Sequence, residues 1–491
     1  MEQYFIGVDI GGTNIKAVVF SENGNELGKL NCQTPLDIVQ EGYHQRDMLL
    51  MWSETAKAIR GAIQNSGISA AEIAAVGCTG HGKGLYLWGK DNKPCYPGIA
   101  STDQRASEIV DKWITDGTVE RARKINMQST LACQPVSLLA WLKQKEPSVY
   151  ADIQWVFEAK DYIRFMLTGR AMAEYTDYSG TSLMNLHTKS FDAELLEIYG
   201  IPEIMPCLPP LCKADEICGF VTKEASDQTG LPEGIPVCGG MFDIDACAVS
   251  MNISDPAPIC VITGTWSINE YISKTPVAPE QSVNHSVFCD PQYYLIEESS
   301  PTSAGNLEWV LETLFGTEKQ DYADIDNKID SIDLEDSAVL FFPFLYGSNA
   351  PGMKNAAFWG LHSGYTRAHI LRAVYEGVVF SHKQHIDRLL AHRDLPPYIR
   401  VAGGAANSDV WMQMFSDALN MTVEVVEGKE LGALGAAMAA AVSMNVYTDY
   451  TDAADKMVRI RKIFQPQPEK YVKYLEKYKQ YSMLLKQLSE N

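Results

Sequence analysis

The stretch Tyr4-Phe5-Ile6-Gly7-Val8-Asp9-Ile10-Gly11-Gly12-Thr13-Asn14-Ile15-Lys16, continued by Ala17-Val18-Val19-Phe20, decides how the rest of the chain is read. An apolar run ends near a carboxylate, two glycines let the backbone turn tightly, a hydroxyl and an amide come next, and the apolar run resumes. The pattern predicts a β-hairpin whose turn holds a phosphate. Asp9 at the strand end is placed to hold Mg²⁺ through water, and turn N–H groups with the Thr13 and Asn14 side chains suit phosphoryl oxygens. An ordinary glycine hairpin would read the same way over these residues, so the choice between the two rests on residues further along the chain.

The 491 residues exceed what one hydrophobic core usually supports, so at least two domains are expected. Composition is that of soluble globular protein, with 46% hydrophobic and 21% charged residues. A formal net charge of −21 repels nucleic acid and anionic membrane, which removes both from the expected partners. The start Met1-Glu2-Gln3 carries no basic segment leading into an apolar run, and the expectation is a cytoplasmic protein. The longest small-apolar stretch, Leu431 to Val442, is too short to span a bilayer. Eleven scattered cysteines read as buried free thiols, and the spacing of Cys207, Cys212 and Cys218 is not that of a zinc site.

Along the chain, a third strand near Glu26 to Gln33 completes a meander, and Met48, Leu49, Trp52, Ala56, Ile59 and Ile63 recur at helical spacing. A short buried strand, Ile73 to Cys78, opens onto Thr79-Gly80-His81-Gly82-Lys83-Gly84. This turn lacks the spacing of a dinucleotide fingerprint or a P-loop. Its His81 and Lys83 are suited either to a polyhydroxylated ligand or to a solvated loop. Asp103 and Arg105 flank a helix start, where an Asp also serves as a simple cap. After the strand Ile235 to Cys238 comes Gly239-Gly240-Met241-Phe242-Asp243, which places a carboxylate just beyond two glycines. Asp243 is read as a general base for a hydroxyl nucleophile, or else as a helix N-terminal charge alongside Asp245.

The second half repeats the opening theme: strand Pro258 to Ile262, turn Thr263-Gly264-Thr265-Trp266, returning strand Ser267 to Ile272. Two Gly/Thr hairpins, each heading half of the chain, predict a duplicated fold that clamps one nucleotide, with a boundary near residue 250. The acidic run from Glu318 to Asp336 reads as a solvated face. His382, His385 and His392 are placed on one helix, but no carboxylate-plus-His zinc motif accompanies them. The strand entering Ala402-Gly403-Gly404-Ala405-Ala406-Asn407 leads to a helix, and bare backbone there suits adenine, ribose or phosphate. Leu431 to Ala437 reads as a small-residue helix able to pack closely against that turn. Tyr474, Tyr478, Tyr481, Leu485 and Leu488 form a docking stripe.

With these residues in place, the chain resembles the FGGY carbohydrate kinases over essentially residues 1 to 445. The pattern Ala356-x-Phe358-x-Gly360-Leu361, then His369-Ile370-x-x-Ala373-Val374-Tyr375-Glu376-Gly377, fits that family's C-terminal signature. Asp9 to Lys16, Gly264-Thr265 and Gly403-Gly404-Ala405 lie in the family's order and spacing. The resemblance implies an α/β fold of two actin-like ATPase (ribonuclease H-like) domains with an interlobe cleft. Residues 1–250 would form the sugar-binding domain with the first phosphate motif, and residues 251–491 the nucleotide-binding domain with a C-terminal helix. It further implies Asp243 as catalytic base, with His81, Gly82, Lys83 and Asp103 on the sugar. Mg-ATP would be held by Asp9, Gly12, Thr13, Asn14, Lys16, Gly264, Thr265, Gly305, Gly403, Gly404 and Asn407, with Asp9 on the metal side.

The implied cofactors are ATP and Mg²⁺, the partner is a small sugar, and a homo-oligomer such as a dimer is the assembly reading. Finer likeness, in His81 to Leu85, Pro135 to Leu139, Ser300 to Trp309 and Phe344 to Ala350, is to the L-xylulose kinase branch, implying a ketopentose acceptor. Three departures bear on the sugar: Ser101 where an aromatic is common, His81 where Gln is common, and Gly347-Ser348-Asn349-Ala350-Pro351 where D-xylulose kinases carry Gly-Glu-Arg-Thr-Pro. The opening motif is also typical of ROK-type hexokinases, which are shorter and carry a Cys-x-Cys-Gly motif absent here. A non-catalytic sugar sensor is the reading from another class. Alternative acceptors are D-xylulose, erythritol, glycerol and gluconate.

Overall fold

The computed structural model describes residues 3–264, 266–278, 283–316, 321–347 and 355–489. Its contacts divide the chain into two units. The first comprises Met1–Ser254, Ile272–Leu295 and Glu430–Val458, and the second Asp255–Tyr271, Ile296–Lys429 and Arg459–Asn491.

The first unit is built on β1 (Tyr4–Ile10), β2 (Asn14–Ser21), β3 (Glu26–Gln33), β4 (Ile73–Gly80), β5 (Ile217–Phe220), β6 (Pro236–Cys238) and β7 (Met241–Phe242). The sheet runs β5-β6-β4-β1-β2-β3, with β7 also pairing β4. β1, β2 and β3 form the antiparallel meander, whereas β4 lies parallel to β1, and β6 and β7 lie parallel to β4. Parallel strands covered by helices read as continuous apolar runs, which is why Phe5, Ile6, Val8 and Ile10 are all buried.

Helix Met48–Ser66 packs Trp52, Ala56, Ile59 and Ile63 against Ile15, Ala17 and Val19 in one apolar core. Its N-terminus is capped by Asp47, whose Oδ1 accepts from the Leu49 and Leu50 N–H groups at 2.8 and 3.1 Å. Leu49, expected on the apolar face, is exposed, and Met51 is buried instead.

Helix Leu431–Ser443 approaches the sheet backbone to backbone. A Cβ on Gly7 would lie 1.8 Å from the Ala433 carbonyl oxygen, and one on Gly77 2.0 Å from that of Ala436. Helix Asp243–Ser250 meets it equally closely, since a Cβ on Gly435 would fall 2.2 Å from the Ala246 oxygen. The small residues of this helix therefore serve the first unit's sheet, a different partner from the turn near Gly403 that the sequence suggested.

The second unit repeats the plan with β8 (Ile259–Thr263), β9 (Ser267–Ser273), β10 (Tyr294–Ser300), β11 (Ile399–Gly403), β12 (Val423–Val426) and β13 (Ile460–Phe464), in the order β10-β9-β8-β11-β12-β13. β8 turns back antiparallel into β9 and lies parallel to β11, as β1 does to β2 and β4. The duplication expected from two Gly/Thr hairpins is present at the level of strand order. Helix Arg367–Leu390 crosses this unit, and Gly377 on it is obligatory because a Cβ would sit 2.3 Å from the Phe341 oxygen. Glu376 beside it is buried, with Arg372 Nε at 2.7 Å and Lys477 as a second partner. The signature residues thus hold the helix to its neighbours. Among the described residues no helix is long and apolar enough to cross a membrane.

Candidate functional site

Three adjacent parallel strands bring the sequence-distant site residues of the first unit into one row. Asp9 on β1 pairs with Thr79 on β4, and Met241 on β7 pairs with the same Thr79. Past that row the chain leaves each strand: β1 into the Gly11–Thr13 turn, β4 into the His81–Lys83 turn, β7 into Asp243. The carboxyl ends of parallel strands are where open α/β sheets bind ligands.

The Gly11–Thr13 turn is closed by the Gly11 N–H donating to the Asn14 carbonyl at 2.8 Å, and the Thr34 N–H donates to the Thr13 carbonyl at 2.9 Å. Gly12 and Thr13 are exposed, and a Cβ at Gly12 would meet nothing within 4 Å. Asn14 Nδ2 donates to Thr13 Oγ1 at 3.1 Å. Lys16 is paired with Glu430 at 3.0 Å, and Lys29 binds the other oxygen of the same carboxylate at 3.1 Å. Glu430 and the nearby Gly432 had no signal in the sequence beyond a glycine in an alanine-rich helix. Gly432 is fixed there because a Cβ would come 2.9 Å from Asp9 Oδ2.

Burial raises the Asp9 carboxyl from its ordinary 3.8 to about 6; Lys16 opposes the rise and Glu430 adds to it. The folded state therefore disfavours ionised Asp9. A carboxyl whose folded pKa lies above its unfolded value contributes stability below the unfolded pKa and loses it as pH rises to the folded one. In urea unfolding across pH 4 to 7, Asp9→Asn should accordingly gain on the wild type between about pH 4 and 6, and level off at roughly 2–3 kcal/mol. A stability difference that does not change across this window would refute the burial argument.

On the second turn, His81 is buried and neutral. Desolvation, reinforced by the Arg46 cation, lowers its pKa to about 3. Its Nε2 lies 3.1 Å from the Tyr86 hydroxyl. A neutral ring offers one donor and one acceptor, so His81 has at most a single N–H to donate. Gly82 is closely covered, since a Cβ would fall 2.6 Å from the Phe242 ring and 2.9 Å from Asp177 Oδ1. Lys83 adopts φ 66°, a left-handed conformation that a lysine takes only when its surroundings impose it. Among the described residues no carboxylate pairs with its half-buried ammonium.

Asp103 is fully buried, and its acceptor capacity is used within the protein. Oδ1 takes the Arg105 N–H at 2.8 Å and Nε at 2.9 Å, while Oδ2 takes the His44 N–H at 2.7 Å and Arg105 Nη2 at 2.9 Å. We assign Asp103 to anchoring Arg105 and the His44 backbone rather than to the sugar, because four donors fill a carboxylate.

Asp243 opens helix Asp243–Ser250 and is half-buried. A chain of buried polar groups that sequence reasoning missed sets its backbone. Thr176 Oγ1 donates to Glu174 Oε2 at 2.6 Å and accepts the Phe242 N–H at 2.8 Å, and Lys160 Nζ holds Glu174 at 3.2 Å. Lys160 also faces Asp161 at 3.0 Å and Asp177 at 3.5 Å. Burial first, then neighbouring carboxylates, push Asp177 well above the usual range, Asp243 being among those neighbours.

In the second unit, Gly403 takes φ 99°, and a Cβ there would sit 2.6 Å from the Thr263 carbonyl, so only glycine fits beside β8. Gly264 N donates to the Trp266 carbonyl at 3.2 Å, while Thr265 lies outside the described residues, as do positions 348–354 of the loop after Gly347. Gly404, Asn407, Ser408, Ala304, Leu307 and Glu308 line a cavity of about 480 Å³. Gly305 begins the helix that supplies Leu307 and Glu308.

The remaining walls of that cavity come from Tyr322, Asp326, Tyr375 and Trp411. Tyr375 and Trp411 stack at 3.9 Å, and Asp326 Oδ1 accepts from Ser408 Oγ at 2.8 Å and from the Tyr375 hydroxyl at 2.9 Å. A mainly apolar, flat-walled cavity with a few fixed polar groups has the character of a nucleoside site. Tyr322 and Asp326 belong to the run read as a solvated face. Most of that run is exposed as expected, while Ile325 and Ile329 are buried on helix Tyr322–Asp330 and seat its Tyr322, Ala323 and Asp326 beside the cavity.

His382 and His385 are also accounted for. They join Ser267 and Asn269 in a buried network, with Ser303 Oγ 2.8 Å from His382 Nε2, and burial keeps both rings neutral. No cluster of three metal-ligating side chains occurs among the described residues.

A duplicated α/β fold with a glycine turn at the end of β1, a carboxylate beyond two glycines and a nucleoside-type cavity has the parts that phosphoryl transfer requires. Residues 4–250 match the N-terminal domain model of the FGGY family of carbohydrate kinases, and residues 259–444 match its C-terminal domain model. The chain belongs to that family and is a carbohydrate kinase, with ATP the phosphoryl donor that membership implies. It is 37% identical to a probable L-xylulose kinase of Haemophilus influenzae over 99% of both chains. It is 36% identical to the L-xylulose/3-keto-L-gulonate kinase of Escherichia coli over 99% of this chain and 97% of that one. A xylulose kinase structure from Lactobacillus acidophilus superposes with a TM-score of 0.91 at 23% identity, over 99% of this chain and 98% of that one, which bears on the fold alone.

Proposed function

We propose that this enzyme transfers the γ-phosphoryl group of ATP to the terminal hydroxyl of a ketopentose, L-xylulose. The observation that carries the substrate is the end-to-end similarity, at 36–37% identity, to proteins named for L-xylulose. The first unit would receive the sugar and the phosphoryl group. Asp243 would take the proton of the acceptor hydroxyl as its oxygen bonds to the γ-phosphorus and the bridge to the β-phosphate breaks, releasing ADP. Gly12, Thr13 and Asn14 would hold phosphoryl oxygens, and Lys16, steadied by Glu430, would add positive charge. The second unit would hold the nucleoside through Gly404, Asn407 and the helix at Gly305, with Gly264, Thr265 and Gly403 in the turns beside it.

Asp9 fits Mg²⁺: a single carboxylate kept uncrowded by Gly432 is what a cation bound chiefly by phosphates and water requires. When bound, Mg²⁺ neutralises charge on the phosphates.

Lys83 supports a second reading, a ketose that carries a carboxylate, because an ammonium with no carboxylate partner among the described residues suits an acidic acceptor. The test is ADP release on a panel of L-xylulose, D-xylulose, glycerol, erythritol, gluconate and 3-keto-L-gulonate. L-Xylulose should exceed D-xylulose and the polyols at least about tenfold in kcat/KM, since each epimeric hydroxyl leaves a buried polar group unpaired at ~1–3 kcal/mol. D-Xylulose or a four-carbon polyol as best substrate would overturn the assignment, and 3-keto-L-gulonate as best would select the second reading. No turnover on any member, with ATP still bound, would favour a sensor.

A further inference from the structure

Arg46 takes no part in the chemistry of Asp243 or Asp9, yet it lies against the phosphate turn. Its side chain is 1% exposed, and among the described residues no carboxylate pairs with it. A buried guanidinium without a counterion is costly unless its position is useful. It enters from the short strand Tyr43–Arg46, fixed by pairing of Gln45 with Ile99 and of Arg46 with Gly98. Nη1 donates to the Gly11 carbonyl at 3.4 Å and Nη2 to the Gly12 carbonyl.

Peptide geometry gives these two bonds their consequence. In a trans peptide the carbonyl and the next N–H point in opposite directions. Anchoring the Gly11 and Gly12 carbonyls from one side therefore aims the Gly12 and Thr13 N–H groups to the other. Gly12 and Thr13 are exposed, with open space beside Gly12. Donors preset in this way need no rearrangement as charge develops on a bound group.

We propose that Arg46 is a positioning residue for phosphoryl transfer: it holds the two peptide groups of the Gly11–Thr13 turn with their N–H donors outward and sets a positive charge beneath them. This rests on the reading that the turn receives ATP phosphates. The charge also reaches the neighbouring turn, where it helps keep His81 neutral.

The test compares wild type with Arg46→Met and Arg46→Gln, the second keeping an amide donor without the charge. Arg46→Met should lower kcat/KM for ATP by about 10- to 100-fold, and Arg46→Gln by about fivefold, with KM for the sugar within twofold. Calorimetric binding should show ATP weakened while adenosine, which carries no phosphate, binds as before. If Arg46→Met does not fold, the same comparison is made on Arg46→Gln. Unchanged kcat/KM, or adenosine weakened as much as ATP, would overturn the proposal. Wild-type protein that turns over no sugar would instead refute the kinase reading itself, so the two failures are distinguishable.

Discussion

Asp243→Asn is expected to lower kcat by ~10²- to 10⁴-fold while leaving ATP binding and the folded structure intact. Asn preserves the volume and one oxygen of the side chain but does not accept a proton from an attacking hydroxyl. The backbone at this position is set from outside, by the Phe242 N–H donated to Thr176 and by the pairing of β7 with β4, so the exchange should not move it. Loss in kcat with KM for both substrates within a few-fold identifies proton transfer as the missing step. A rise in KM for the sugar alone would make Asp243 a binding group, and near-wild-type kcat would end the assignment. Thermal unfolding of the variant, read beside the kinetics, separates either outcome from misfolding.

What the sequence made legible was chiefly local. The hairpin of Asp9 to Lys16, the strand entering the His81 turn and the two glycines before Asp243 each carry their signal within a dozen residues, and parallel pairing of β1, β4 and β7 then places them in one row. The signature around Tyr375 and Gly377 was also visible, although its glycine answers to Phe341 and not to a ligand.

The features that stayed hidden depend on partners far apart in the chain. Arg46 meets Gly11 and Gly12, Glu430 meets Lys16, and Gly432 stands beside Asp9 more than four hundred residues away. No periodicity within a window registers such pairs. Asp103 shows the converse: its sequence context allowed a ligand contact, but the Arg105 fork and two backbone N–H groups already satisfy it. Helix Tyr322–Asp330 carries both signals: its acidic residues form the expected solvated face, while the spacing of the buried Ile325 and Ile329 is the part that reports packing.

The close seat of helix Leu431–Ser443 leads to the second large effect. Gly7→Ala should destabilise the protein by about 3 kcal/mol or more, because the added methyl would fall 1.8 Å from the backbone oxygen of Ala433. Neither partner yields easily: Gly7 lies within β1, paired to β2 and β4 on either side, and Ala433 lies within a helix. Since Gly7 has no left-handed backbone, the effect is one of space alone. Gly12→Ala is the matched control. Nothing lies within 4 Å of its added carbon, so its stability should stay within about 0.5 kcal/mol of wild type. Urea midpoints of the two variants, with m-values checked for equality, measure the contrast. Because the same helix carries Gly432 to Asp9, any folded fraction of Gly7→Ala should also need more Mg²⁺ for half-maximal rate. A Gly7→Ala protein as stable as Gly12→Ala would mean that the helix does not lie against β1 backbone to backbone.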